Sequence, residues 1–151
     1  MKHFYTVLLL LGFEFSNAQE ITMEQTLDYI NKKIAPSCSL DVLKGNILSV
    51  YKENGETIRE DEVRVADLDM TSMKYDGTLK IFSINCKGAP SKKCVSRELP
   101  TYGSTGVYRP YARISWEVNL SEKGVQGMKN AFMHMSRMVM EPKYKSNEPF
   151  E

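Results

Sequence analysis

The residues with most chemistry to offer are two cysteines eight positions apart, Cys86 and Cys94 in "INCKGAPSKKC", and a third, Cys38, in "PSCSL". A pair at this spacing, across a turn rich in Gly, Pro and Lys, is either a disulfide or half of a metal site. A zinc site needs two further Cys or His ligands nearby, and past the first eighteen residues the chain offers only Cys38 and His134. The pair therefore reads as a disulfide pinning a hairpin. Phe82, Ile84 and Cys86 share one face of the preceding strand, and cross-strand neighbours can meet the Cα spacing a disulfide demands. Cys38 bonded to either of the two is the rival pairing. So short a loop stabilises by only ~2–3 kcal/mol on the chain-entropy model.

"MHMSRMVM", residues 133–140, raises a soft-metal site, because thioethers and imidazole favour copper(I)-type ions. His134 and Met138 stand four apart on one helix face, with Met23, Met70 and Met73 as possible ligands from elsewhere. Met135 belongs to the core stripe, and Met133 and Met140 lie on the other flank, so these side chains cannot converge on one ion; core packing is the primary reading. A Cys38–His134 nucleophile pair is the remaining enzymatic possibility. Cys38 is read as a thiol on a loop after the first helix, and the acids Glu60, Asp61 and Glu62 as a solvated face. No catalytic residue and no cofactor is expected.

Binding has a better candidate. "TYGSTGVYRPY" carries Tyr102, Tyr108 and Tyr111 with Arg109, and Arg113 follows. Tyr and Arg are enriched where proteins grip partners, since they combine contact area with a polar tip. A protein, peptide or glycan is the expected partner; the competing reading is that the tyrosines fold back over the sheet as a lid.

These residues need elements to place them. "TMEQTLDYINKKI" reads as a helix entered through a Thr22–Gln25 capping box, with Met23, Leu27, Ile30 and Ile34 on one face. "NILSVYKE" and "ETIREDEVRVADL" flank Asn54-Gly55, the dipeptide of a type I′ hairpin turn, with a break expected near Asp61. "GTLKIFSINCK" and "CVSREL" are strands, "PTYGSTGVYRP" is an irregular loop, and "ARISWEVNL" alternates cleanly between apolar and polar residues. A helix from about Glu122 to Met140 follows, with Val125, Met128, Phe132, Met135 and Val139 as its core stripe. Helix, antiparallel strands and helix make an α+β domain: a curved antiparallel sheet with the long C-terminal helix packed on it.

The first eighteen residues have the basic start, apolar run and small-residue ending of a secretory leader, with cleavage expected after Ala18. Residues 19–141 then form one domain, and 142–151 a polar tail. The expected destination is the periplasm or cell exterior, where disulfides persist. The formal charge of +1 gives no field to draw nucleic acid, and no second apolar run is long enough to cross a membrane.

The Ala-Gln leader end, "TLDYINKKI", "INCKGAPSKKC" and "VQGMKNAFMHM" together resemble a group of small, uncharacterised secreted proteins of Bacteroidetes-type bacteria. The resemblance implies a pleckstrin-homology-like roll and carries no functional residue across. Phosphoinositide-binding members of that fold use a basic first hairpin loop. Here the turn is "KENGE", which sets Lys52 against Glu53 and Glu56.

Overall fold

A computed structural model of the chain describes residues 21–100 and 106–141. The expected leader, Tyr102 and the expected tail lie outside the described residues.

Helix α1 (Met23–Ile34) begins at the capping box: the Gln25 backbone N–H donates to the Thr22 hydroxyl at 3.2 Å, and the Gln25 side chain accepts from the Thr22 N–H at 2.9 Å. Thr26, Ile30 and Ile34 are its buried face. Strands β1 (Cys38–Leu43), β2 (Asn46–Glu53) and β3 (Glu56–Arg64) follow as two hairpins. Asn54-Gly55 turns the second with both residues at positive φ. Lys44-Gly45 turns the first in the same way, with a lysine held at φ 50°. No Asn or Asp marks that turn, so β1 escapes sequence reading, and Cys38 lies in this strand rather than on a loop.

The register shift in the β2–β3 pair falls at Tyr51/Lys52, opposite Thr57 and Arg59, and not at Asp61. A short 3₁₀ turn (Val65–Asp67) ends β3 and leads to β4 (Leu68–Asp76) and β5 (Ile81–Cys86). Asp76 shapes the turn between these two: its carboxylate accepts the Thr78 and Leu79 N–H groups. β6 (Val95–Glu98), β7 (Arg109–Tyr111), β8 (Arg113–Glu117) and α2 (Glu122–Met140) complete the fold. β7 lies where the sequence suggests only loop, because its three residues include a proline and carry no alternation.

The antiparallel structure is divided into two open sheets, ordered β1-β2-β3-β6-β7 and β4-β5-β8. The chain is an α+β domain with a helix at each end. The layers meet over Phe82, Trp116 and Phe132, all fully buried, with Phe132 of α2 at 5.6 Å from Phe82 and 4.8 Å from Trp116 between ring centroids. The Trp116 indole N–H donates to the Ser49 hydroxyl at 3.1 Å, which joins the second sheet to the first.

Cys86 and Cys94 are disulfide-bonded, with Cα atoms 5.7 Å apart. The bond does not pin a hairpin. β5 belongs to the three-stranded sheet and β6 to the five-stranded one, so it staples the passage from one sheet to the other. Cys86→Ala/Cys94→Ala is expected to cost ~2–3 kcal/mol. A clear fall in melting temperature under non-reducing conditions supports this, and an unchanged one contradicts it.

Candidate functional site: a cleft where the sheets cross

Strand alternation places every second residue of β3 on the inward face, so Arg59, Asp61 and Val63 point in while Glu60 and Glu62 face water. The acidic run expected to be solvated is thereby split, and the Asp61 side chain is 0% exposed. Register then supplies its partners. Ser49, Asp61, Arg97 and Arg109 stand in one row across β2, β3, β6 and β7, and Cys38, Tyr51 and Arg59 in the neighbouring row.

Asp61 accepts from two guanidiniums. Arg97 donates through Nε at 2.6 Å and through Nη2 at 2.9 Å. Arg59 donates through Nε at 3.0 Å to both carboxylate oxygens, and through Nη2. Each arginine is also backed by a ring, Arg59 at 4.0 Å from the centroid of Tyr51 and Arg97 at 4.1 Å from that of Tyr111. The Tyr51 hydroxyl donates to the Ser115 carbonyl at 2.7 Å, and Arg59 Nη2 reaches the same oxygen at 3.2 Å. This carbonyl lies on β8, so the polar cluster also bridges the two sheets.

Two arginines share one carboxylate, which leaves the cluster net positive although the arginine side chains are only 19% and 13% exposed. Beside it opens a cleft of about 530 Å³, lined by Asn85, Ala89, Pro90, Arg97, Tyr111, Ala112, Arg113 and Ser115. Its walls are two of the three chain passages between the sheets, the disulfide loop after β5 and the Ala112 link between β7 and β8. A hydrogen bond from the Cys86 N–H to the Ala112 carbonyl, at 2.8 Å, ties these passages together.

The residues expected to bind from sequence separate here. Tyr111 and Arg113 line the cleft. Arg109 is exposed opposite Arg97 in the register, at the outer strand of its sheet. Tyr108 is 58% exposed and points to another group: its hydroxyl is hydrogen-bonded to Glu98, which raises its pKa. Glu98 in turn accepts from the Gly106 N–H. Sequence reading missed Arg97, Asn85 and the Asp61 support. A signal was present in β6, where Val95 and Arg97 must share a face.

His134 and Met138 are half-buried on α2. His134 Nδ1 lies 3.3 Å from the Thr26 hydroxyl, in a groove between α1 and α2. The helices approach closely there: a Cβ on Gly127 would stand 2.0 Å from the Tyr29 hydroxyl oxygen. Met128 and Met135 are fully buried, while Met133 and Met140 are about half exposed, at 51% and 52%. Among the described residues no group of three or more His, Cys, Asp or Glu is placed to hold a metal ion.

Cys38 is buried beside Tyr51, and its thiol approaches the Ser39 carbonyl at 3.5 Å, whereas the His134 ring meets the Thr26 hydroxyl. Burial pushes this thiol from 9.0 up to about 12, so it stays protonated where a nucleophilic cysteine must ionise. Burial also raises the Tyr51 phenol above its ordinary value. Unfolding returns both groups to ordinary values, so above pH 9 the unfolded chain binds fewer protons than the native one. Stability is therefore expected to fall as pH rises from about 9 toward about 12. Urea midpoints measured across that interval check the sign, and Cys38→Val should flatten the fall. A midpoint independent of pH contradicts it.

No family model, no curated protein and no solved structure matches the chain.

Proposed function

We propose that this is an exported, non-catalytic binding module whose ligand seats in the cleft between the sheets. One observation carries the reading. Arg97 lines an open cleft while one edge of its guanidinium is fixed by a buried carboxylate and one face is covered by Tyr111. A guanidinium has five N–H donors, and side-on pairing through Nε and Nη2 engages only that edge. The rest of the group is held in place before any ligand arrives, and such pre-organisation lowers the ordering cost of binding.

Export is supported by the disulfide and by the leader pattern at the N-terminus; no helix among the described residues is long and apolar enough to cross a membrane. The proposal includes kinship with the small secreted proteins of pleckstrin-homology-like fold, in which a long helix closes the domain as α2 does. Cys38 has a structural part in this reading, as a buried protonated thiol.

Arrayed glycans and peptides, probed with the mature chain and with Arg113→Gln, test the proposal. Signals lost in the variant support it. Signals equal in both proteins, or turnover of an arrayed compound, overturn it.

A further inference from the structure

We infer that the cleft takes an acidic saccharide, with the carboxylate of a uronic acid seated between Arg97 and Arg113. This rests on the cleft being the binding site and adds the chemistry of what fills it. Charge comes first. The two charged residues of the lining are both arginines, and the cluster of Arg59, Asp61 and Arg97 holds two guanidiniums against one carboxylate. A ligand carboxylate supplies the missing negative charge in a setting screened less than open water. Planar guanidinium donors match a planar carboxylate, whose oxygens accept paired N–H groups.

The remaining lining decides between kinds of acid. Asn85 offers an amide donor and acceptor, and Ser115 and Tyr111 add hydroxyls. Apolar lining is limited to Ala89, Pro90 and Ala112 besides the tyrosine ring, so there is no deep apolar pocket to select a large peptide side chain. Hydroxyl-rich sugar rings match such a surface.

Strand addition by an extended peptide is also disfavoured at this edge. β8 is the outer strand of its sheet, but its Ser115 carbonyl already accepts from Tyr51 and Arg59. A peptide pairing with that strand must displace both. A cleft of about 530 Å³ is of the size that holds one small ligand or the end of a longer chain.

Calorimetric titration of the mature, disulfide-intact chain with trigalacturonate, its methyl ester and acetyl-trialanine tests the inference. Expected is binding of trigalacturonate, weakened about tenfold or more by esterification and by Arg113→Gln, as for loss of one charge-assisted hydrogen bond. Asn85→Ala should weaken it too without altering the arginines. No binding of trigalacturonate, or equal affinity for the methyl ester, overturns the carboxylate assignment. Acetyl-trialanine bound in preference, and lost in Arg113→Gln, overturns the saccharide while leaving the cleft as the site. Trigalacturonate bound equally by the parent chain, Arg113→Gln and Asn85→Ala overturns the inference and the cleft reading together.

Discussion

Asp61→Asn is expected to lower the unfolding free energy by about 3–5 kcal/mol, the loss typical of removing one partner from a buried ionic group. The substitution keeps the shape and removes the charge. Arg59 and Arg97, each mostly buried, then face one another across an amide that offers one acceptor oxygen where the carboxylate offers two. The effect spreads because Arg59 also reaches the Ser115 carbonyl of the opposite sheet, so the seam between the sheets loosens with it. Urea unfolding at neutral pH measures the loss, with an unchanged m-value showing that the change is in stability alone. A midpoint within experimental scatter of the parent contradicts the account of this cluster. Replacing all three charges together, as Arg59→Met/Asp61→Leu/Arg97→Met, should recover much of the stability, since well-packed apolar groups often match a buried ionic cluster. That variant should fold and, on the proposed function, fail to bind, which separates stability from binding.

Phe132→Ala should cost a similar amount, about 3–5 kcal/mol, through lost burial and the cavity left behind. Phe132 is fully buried and is the residue of α2 that meets both Phe82 and Trp116. Its loss opens a void at the junction of the helix and the three-stranded sheet. Close packing of aromatic neighbours leaves little room for the site to collapse. Thermal unfolding checks this, together with tryptophan fluorescence, because Trp116 is the only tryptophan and reports directly on that contact. A loss below about 1 kcal/mol would mean that α2 is not seated on these rings.

Both effects show which kinds of order a sequence displays. The two helices and β8 are legible because their residues repeat at one period over enough positions: Ile114, Trp116 and Val118 are buried while Arg113 and Glu117 are exposed. Pairing of Cys86 with Cys94 is legible from composition and spacing. What the pair joins is not, because division of the strands into two sheets depends on which edges meet, and β6 pairs with β3 from more than thirty residues away. The site divides in the same way. Tyr111 and Arg113 stand in a segment whose composition suggests binding. Asp61 sits between two glutamates and looks like part of a charged surface until the register sets it beside Arg97. A lysine-led turn conceals β1, and a strand of only three residues conceals β7, and with them the burial of Cys38 and the cleft's outer wall.

A buried aspartate holds Arg97 at the mouth of the cleft, and the proposed binding depends on that hold. Proton–nitrogen NMR of the arginine Nε–H groups, recorded for residues 19–151 before and after addition of trigalacturonate, puts this hold to the test. Two Nε–H signals are expected to be protected from exchange with water, those of Arg59 and Arg97, and addition of the saccharide should shift the Arg97 and Arg113 signals. Rapid exchange at every arginine, or ligand-induced shifts confined to residues away from the cleft, would contradict it.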